Sequence, residues 1–310
     1  MVKVFIDGSA GTTGLRIYDR LSNRKDIQLL RLPDALRKYE AARRDMLNAA
    51  DVAFLCLPDA AALEAASWVE NPDTAVIDTS TAHRTDPGWV YGFPELAGQR
   101  ERILASKRIA NPGCHASGFI ALVAPLRHAG LLPAESFLSC TSLTGYSGGG
   151  KKMIAEYEAK DRSPLLDAPR AYGLSQSHKH LPEMQKLCGL KEAPGFLPVV
   201  ADFYSGMEVS VVLPLKALGL GLDGIREAYR AAYPGPVVRY REAADEGGFL
   251  SAAACAGYDD MEITVHGNEE RALLTARFDN LGKGASGAAI QNMNLLLGVD
   301  ETTGLMIREA

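Results

Sequence analysis

The sequence has no long apolar run, no basic stripe and no closely paired cysteines. No apolar stretch approaches the roughly 18 residues that a membrane-spanning helix needs, so we expect no membrane association. Lys and Arg number 33 against 38 Asp and Glu, the net charge is −5, and the longest basic clusters are pairs. Because nucleic-acid-binding surfaces concentrate positive charge, we also expect no nucleic-acid partner.

The five cysteines are scattered along the chain and form no CxxC pair (Cys56, Cys114, Cys140, Cys188 and Cys255). Disulfide frameworks use even numbers of cysteines in secreted chains, so this pattern predicts reduced thiols and a cytoplasmic location. The first residues, MVKVFIDG, enter a strand-like run at once and leave no room for a secretory signal.

Short apolar runs alternate with helical patterns in the first part of the chain. The candidate strands are VKVFI, IQLLRL, DVAFLCL and TAVID, and the candidate helices are TGLRIYDRLSN, PDALRKYEAARRDML and DAAALEAASWVE. This alternation predicts βαβ units and a mostly parallel sheet, as in a Rossmann-like dinucleotide-binding domain.

After Cys114 the strand-like runs become longer and alternate in polarity: SFLSCTSL, MEVSVVLPLK, MEITVHG and RALLTARFDN. They indicate a mixed or antiparallel sheet covered on one face by helices. A chain of 310 residues is long enough for two domains. We therefore predict an α/β protein with an NADP-binding domain of residues 1–113 and 280–310. An α+β catalytic domain of residues 114–279 would also carry the contacts of a homo-oligomer, a dimer or a tetramer.

A glycine-rich loop follows the first predicted strand and opens the first predicted helix: Gly8, Ser9, Ala10, Gly11, Thr12, Thr13 and Gly14. Glycine permits a tight turn and a close approach of the backbone to a pyrophosphate, which a helix N-terminus attracts. The spacing GxxGxxG differs from the more familiar GxGxxG, and an ordinary βα turn is the alternative. Arg31 ends the second predicted strand, where NAD-binding proteins carry an acid about 20 residues after the loop. Arg31 therefore favours NADP(H), with a solvated surface arginine as the alternative.

Cys114 follows a Pro-Gly corner in NPGCHASG and begins a predicted buried helix. A thiol there lies at the positive end of the helix dipole. That end carries the equivalent of about half a positive charge, and this charge favours the thiolate form of the cysteine. A thiolate is a strong nucleophile toward an activated acyl group. The other four cysteines stand in apolar or structural surroundings.

His178 and His180 lie in SHKHLPEM, where Pro182 and Glu183 predict a helix start. Glu183 could orient an imidazole that serves as acid or base for Cys114. A metal site built from the two histidines and Glu183 has no fourth ligand nearby, so we predict no metal. The remaining alternative is that the two histidines lie in a surface loop and have no catalytic or binding role.

Two further segments can hold an anion. Ser147, Gly148 and two further glycines are followed by Lys151 and Lys152. Backbone N–H groups and two lysines therefore offer a cradle for a phosphate or carboxylate, with a flexible hinge as the alternative. Arg84, in STAHR, follows the TAVID strand at its carboxyl end, where ligands of open α/β sheets bind. It would hold a substrate carboxylate or phosphate, or serve as a structural ion-pair partner.

The chain resembles N-acetyl-γ-glutamyl-phosphate reductase, in the shorter of that family's two types. The segments that carry the resemblance are FIDGSAGTTGLRI, VAFLCLPD, VIDTSTAHR, YGFPEL, ANPGCHASG, SLTGYSGGGKK, HKHLPEM and DNLGKGASGAAIQNMN. They occur in the family's order and span nearly the whole chain. The loop DGSAGTTG departs from GASGYTG of the longer type, and Lys151 stands where the longer type has arginine.

The resemblance implies the NADPH-dependent reduction of N-acetyl-γ-glutamyl phosphate to the semialdehyde, with release of phosphate, in arginine biosynthesis. It places the nucleophile at Cys114 and the acid/base function at His178 or His180, of which His180 is preferred because Glu183 lies three residues on. It implies acyl-phosphate contacts in the segment from Ser147 and Gly148 to Lys151, and it places the segment 282–287, with Lys283 and Gly284, near the cofactor. We also expect Arg84 and Asn111 to contact the substrate and Asn280 to contact the cofactor. Small residues chosen for close packing are the alternative for the segment 282–287.

Three other functions are compatible with parts of the pattern. The first is another acyl-phosphate reductase, namely aspartate-semialdehyde dehydrogenase or the lysine-pathway enzyme that acts on aminoadipyl phosphate. The second is a regulatory protein that senses the cofactor without catalysis. The third is a metal-dependent hydrolase that uses the histidine pair.

Overall fold

A six-stranded parallel sheet organises the N-terminal part of the computed structural model, which describes residues 1–309. Its elements are β1 (Val2–Asp7), α1 (Thr12–Leu21), β2 (Ile27–Leu30), α2 (Glu40–Ala49), β3 (Val52–Leu55), α3 (Asp59–Ser67), β4 (Ala75–Asp78), β5 (Val90–Tyr91), α4 (Gln99–Leu104) and β6 (Arg108–Ala110). The strand order is β2-β1-β3-β4-β6-β5, and every neighbouring pair is parallel. The parallel sheet expected from the strand–helix alternation is confirmed.

Apolar side chains cover both faces of this sheet. Val4 and Ile6 of β1 belong to one buried cluster, and Phe5, which points to the other face, belongs to a second. Strands β3 and β4 are buried at every position. Continuous apolar runs of this kind are what a sheet covered on both faces requires.

The segment PDALRKYEAARRDML does not form the single helix that its pattern predicts. A 3₁₀ turn spans Asp34–Leu36, and the α-helix begins only at Glu40. Residues 33–40 include no buried side chain, and Leu36 and Tyr39 are exposed. Since short helices depend on a packed apolar face, this stretch lacks the buried side chains that would hold it helical.

A seven-stranded mixed sheet organises the second part of the chain. Its elements are α5 (Cys114–His128), β7 (Ser139–Gly145), α6 (Gly150–Glu158), β8 (Arg170–Ala171), α7 (Leu181–Cys188), β9 (Gly195–Ala201), β10 (Met207–Pro214), α8 (Leu215–Leu218), α9 (Leu222–Ala232), β11 (Val238–Tyr240), β12 (Met261–Gly267) and β13 (Arg271–Phe278). The order is β11-β12-β13-β10-β7-β9-β8. The pairs β7–β9 and β11–β12 are parallel and the others antiparallel, as expected for a mixed sheet.

The chain divides into two compact units. The first comprises Met1–Pro94, Gly98–Pro112 and Ala285–Leu305, and therefore includes the last helix, α10 (Gly287–Leu296). The second comprises Glu95–Ala97, Gly113–Gly284 and the segment that starts at Met306. Among the residues described, no helix combines the length and the apolar character that crossing a bilayer demands.

Helix α5, which begins at Cys114, is the central helix of the second unit. Ten of its residues are buried, from His115 to Leu126. A Cβ atom at Gly118 would lie 2.4 Å from Cγ2 of Val209 in β10, so the helix backbone lies directly against the sheet. Close packing along its length fixes where the first turn, and with it Cys114, is presented.

Candidate active site

The glycine loop after β1 is tightly folded at the carboxyl edge of the parallel sheet. Gly8 has φ +86°, and a Cβ atom there would lie 2.2 Å from the carbonyl oxygen of Cys56, which follows β3. A Cβ atom at Gly14 would lie 2.5 Å from the Gly8 carbonyl oxygen. Because β2 and β3 flank β1 on opposite sides, the loop sits at the point where the strand order reverses, the position at which open α/β sheets bind ligands.

A cavity of about 860 Å³ opens beside this loop. Gly8, Ser9 and Ala10 line one part of it, and the end of β2 with the segment 31–38 lines another. The guanidinium of Arg31 stacks on the ring of Tyr18 at 4.8 Å, and the residue is exposed. Arg37 and Lys38 also line the cavity, and Arg37 forms an ion pair with Asp34. The glycine loop, the start of α1 and the basic side chains of Arg31, Arg37 and Lys38 together are suited to bind a phosphorylated dinucleotide.

Arg84 and Asn111 meet at the carboxyl end of β4 and β6 in the same unit. Arg84 donates from Nε to the carbonyl oxygen of Asn111 (2.9 Å) and from Nη2 to that of Thr79 (3.1 Å). Asn111 is buried, and its Nδ2 donates to the carbonyl oxygen of Ala285. The structure therefore brings these two predicted residues together, and Arg84 donates to backbone carbonyls; their substrate contacts stay predictions.

A buried His–Asp pair, which the sequence did not single out, holds the loop that carries Arg84. His83 Nδ1 lies 2.7 Å from Oδ2 of Asp78, and Ser80 donates to the same carboxylate. The imidazole stacks on Trp89, with ring centroids 3.9 Å apart. This packing fixes the course of the STAHR segment after β4.

Cys114 is the first residue of α5 and is half-buried. A Cβ atom at Gly284 would lie 3.0 Å from Cβ of Cys114, so glycine at this position leaves room beside the cysteine. Burial raises the pKa of Cys56 and of Cys255 to about 12, and it also raises the pKa of Cys140 and Cys188. The four other thiols are therefore poor nucleophiles at neutral pH.

Glu183 lies at the start of α7 and accepts a hydrogen bond from the backbone just before Cys114. Its Oε2 accepts a hydrogen bond from the N–H of Gly113 (3.2 Å), and its side chain is almost fully buried. The carboxylate therefore satisfies an N–H group at the start of the helix that carries Cys114. The predicted orientation of an imidazole by Glu183 stays a prediction.

Three histidine rings cluster in the second unit. His178 and His180 have ring centroids 4.7 Å apart, and the ring of His115 lies 5.6 Å from each of them. His180 immediately precedes α7, so the helix start expected from Pro182 and Glu183 is observed. The structure thus brings both predicted histidines to the residue that directly follows Cys114.

His115, Ser142 and Tyr172 belong to this cluster although the sequence did not single them out. His115 Nδ1 lies 2.7 Å from Oγ of Ser142, and Nε2 lies 2.6 Å from the hydroxyl of Tyr172. Burial, helped by the neighbouring His178, lowers the pKa of His115 to about 3, so its ring is neutral near pH 7. A histidine inside the apolar run of α5 was the available signal, since buried polar groups need partners.

The remaining predicted residues are held by specific contacts. Asn280 accepts from the N–H of Gly206 (2.9 Å) and donates to Oγ of the buried Ser147 (3.1 Å). The ammonium of Lys283 is buried and lies 2.8 Å from both carboxylate oxygens of Glu95. Lys151 is exposed in the first turn of α6, and Gly148 lies in the preceding 3₁₀ turn. Cofactor or substrate contacts of these residues stay predictions.

No three or more His, Cys, Asp or Glu side chains are grouped to hold a metal ion in residues 1–309.

Comparison with known proteins defines the class. The dimerisation domain of semialdehyde dehydrogenases matches residues 114–280, and their NAD-binding domain matches residues 34–105. Aspartate semialdehyde dehydrogenase II from Vibrio cholerae, solved with ASA, has a TM-score of 0.71 at 16% identity and covers 96% of this chain and 98% of its own. The enzyme from Candida albicans, solved with NADP, has a TM-score of 0.69 at 14% identity over 96% of this chain and 98% of its own. Both structures share the fold.

Relatives of higher sequence identity than these two structures are named N-acetyl-gamma-glutamyl-phosphate reductase. N-acetyl-gamma-glutamyl-phosphate reductase 2 of Nostoc sp. is 45% identical over 98% of this chain and 99% of its own length. The reductase of Brucella canis is 47% identical over 96% of this chain and 99% of its own length. The chain therefore belongs to the family of N-acetyl-gamma-glutamyl-phosphate reductases, and the resemblance read from its motifs is confirmed.

Proposed function

We propose that this protein catalyses the NADPH-dependent reductive dephosphorylation of N-acetyl-γ-glutamyl phosphate to N-acetylglutamate semialdehyde, in arginine biosynthesis. The observation that carries the proposal is the position of Cys114. It is a half-buried thiol at the start of a 15-residue helix, in the unit that also contains the histidine cluster. The names of relatives 44–47% identical over nearly the whole chain specify the substrate.

Cys114 would attack the carbonyl carbon of the acyl phosphate as a thiolate. The carbon–sulfur bond forms, the carbon–oxygen bond to phosphate breaks, and inorganic phosphate leaves with its electron pair. The positive end of α5 and the backbone N–H groups after Cys114 support both the thiolate and the developing oxyanion. NADPH bound in the first unit would supply a hydride to the thioacyl carbon.

Hydride addition leaves an oxyanion on the former carbonyl carbon, which His180 would protonate to give the thiohemiacetal on Cys114. The product is released when the thiohemiacetal loses this hydroxyl proton again and the carbon–sulfur bond breaks to restore the Cys114 thiolate. His180 would accept that proton, with His178 beside it at 4.7 Å between ring centroids. The side chain of Arg84, held by two backbone carbonyls, would bind a carboxylate of the substrate. Asn111, Ser147, Gly148 and Lys151 complete the proposed substrate contacts.

The cofactor preference belongs to this proposal. Arg31 immediately follows β2, and Arg37 and Lys38 line the same cavity, so positive charge stands where NAD-binding proteins carry an acid. These side chains would attract the 2′-phosphate of NADPH. Equal kcat/KM with NADH and NADPH would contradict this assignment.

A homo-oligomer formed through the second unit is also part of the proposal. Leu197, Val212 and Leu273 lie on the sheet face opposite the one that α5 packs against, because register places Leu197 beside Thr141 and Val212 beside Leu273. Leu197 is 45% exposed and Val212 is 56% exposed. The family domain that matches this unit is described as a dimerisation domain. A second copy would cover these apolar side chains.

The test runs the reaction backwards and follows NADP⁺ reduction with N-acetylglutamate semialdehyde. The proposal expects strict dependence on phosphate, with arsenate as a substitute, and little activity with aspartate semialdehyde. Aspartate-semialdehyde dehydrogenase activity is the second candidate, and the opposite substrate preference would establish it. Cys114→Ser should abolish turnover and retain NADPH binding, whereas the control Cys188→Ala should stay active. Wild-type turnover in Cys114→Ser would refute the covalent route.

A further inference from the structure

We propose that His115 and Ser142 are positioning residues that orient the Tyr172 hydroxyl as a hydrogen-bond donor to the substrate oxygen that becomes negative during attack by Cys114. The inference rests on the proposed function and adds a donor to it. It stands on a chain of three groups, Ser142, His115 and Tyr172, with contacts of 2.7 Å and 2.6 Å.

A neutral imidazole has one N–H donor and one acceptor nitrogen, so only two arrangements of protons are possible along this chain. In the first, Nδ1–H of His115 donates to Ser142, and Nε2 accepts from Tyr172. In the second, Ser142 donates to Nδ1, and Nε2–H donates to the oxygen of Tyr172. The second arrangement leaves the Tyr172 proton available for another acceptor.

The surroundings of Ser142 select the second arrangement. Ser142 is fully buried, and within residues 1–309 its hydroxyl has His115 Nδ1 as its one hydrogen-bond partner. If Nδ1 were the donor, the serine proton would be buried without an acceptor. Because a buried unsatisfied donor costs more than an unused lone pair, Ser142 should donate and His115 should carry its proton on Nε2.

Tyr172 is placed to use its proton at the reacting centre. It is half-exposed, its ring centroid lies 6.0 Å from that of His178, and its hydroxyl contacts the residue that follows Cys114. Beyond His115, the described chain offers this hydroxyl no second hydrogen-bond partner. Burial raises the pKa of Tyr172, and the nearby Cys114 raises it further. The hydroxyl therefore keeps its proton and acts as a neutral donor.

The first experiment determines the His115 tautomer without substrate. In protein labelled with ¹⁵N-histidine, two-bond ¹H–¹⁵N correlations distinguish Nε2–H from Nδ1–H, and His115→Gln identifies the signal. We expect one histidine of the six to be held as Nε2–H and to show no titration between pH 5 and 9. An Nδ1–H tautomer, or a titration in that range, would overturn the inference.

The second experiment measures the coupling. Tyr172→Phe should lower kcat by about ten- to a hundredfold, the loss expected for a hydrogen bond to a charged oxygen, with a small change in KM. Ser142→Ala and His115→Leu should lower kcat in the wild-type background and have little further effect beside Tyr172→Phe. His115→Gln, which retains a donor toward Tyr172, should recover part of the loss.

A merely structural role predicts a different pattern. The effects of Ser142→Ala and Tyr172→Phe would then multiply, the melting temperature would fall in step with kcat, and the inference would be rejected. Because the tautomer is read without turnover, the inference and the proposed function fail separately. A wild-type protein with the predicted tautomer but no reductase activity would overturn the proposed function alone.

Discussion

Gly8→Ala and Gly11→Ala should separate the folding role of the glycine loop from its binding role. Gly8 has φ +86°, and the new Cβ atom would lie 2.2 Å from the carbonyl oxygen of Cys56. Gly11 has no positive φ, and its new Cβ atom would lie 3.5 Å from the nearest atom, an ordinary contact. The first change therefore forces the backbone of the loop or of the segment after β3 to move, and the second does not.

The size of the Gly8→Ala effect follows from two costs. A left-handed conformation costs an alanine about 1–2 kcal/mol, and overpacking against a backbone atom that cannot rotate away costs about 1–3 kcal/mol more. For a domain of roughly 150 residues, 1 kcal/mol corresponds to about 2–4 °C, so the melting transition of the first unit should fall by roughly 4–20 °C. Gly11→Ala should leave that transition within about 2 °C of wild type.

The binding role is measured by titrating each variant with NADPH and following nucleotide fluorescence. If the loop holds a pyrophosphate, Gly11→Ala should weaken NADPH binding at least about tenfold, because a methyl group there obstructs the backbone N–H groups that face the phosphates. Unchanged NADPH affinity in Gly11→Ala would favour the ordinary βα turn. An unchanged melting transition in Gly8→Ala would refute the steric reasoning itself.

Two further substitutions test the packing in the unit that contains Cys114. Lys283→Met should lower the free energy of unfolding in urea by about 3–5 kcal/mol, because the Glu95 carboxylate would stay buried without the Lys283 ammonium. Adding Glu95→Gln to this variant should recover most of the lost stability. Equal stability of the single and the double variant would contradict this reasoning. Gly118→Ala should cost about 1–3 kcal/mol because its Cβ would lie 2.4 Å from Val209, and Val209→Ala should reverse part of that cost in the same assay. A Gly118→Ala variant as stable as wild type would mean that α5 lies farther from the sheet.

The fold class was predictable because its signals are local. Buried strands such as β3 and β4 are continuous apolar runs, and the helices between them carry one apolar face, so each element is recognisable within about ten residues. The start of α5 at Cys114 follows from the Pro-Gly corner in the same way. The segment 33–39 failed this reasoning, because none of its side chains is buried and its helical composition gains no packing energy.

The candidate site was predictable only where its residues carry their chemistry in the sequence. Cys114, His178 and His180 are reactive types in short, recognisable segments, and the structure places both histidines in one cluster with His115, the residue after Cys114. Glu183 was recognised as part of the site, but its contact with the N–H of Gly113 joins residues 70 positions apart. No spacing rule predicts such a contact, because it depends on how α7 packs against α5.

His115 shows what decides whether a site residue can be found from sequence. It stands directly beside Cys114, yet its partners Ser142 and Tyr172 lie 27 and 57 residues away, on a strand and beside another. A histidine in an apolar helix is compatible with a core residue, a metal ligand or a proton carrier, and only its partners distinguish these roles. With a serine on one nitrogen and a tyrosine on the other, and a ring that stays neutral, His115 can pass on the direction of a hydrogen bond but is not charged at neutral pH. In the proposed reaction the proton transfer would therefore fall to a histidine outside this chain of hydrogen bonds, namely His178 or His180.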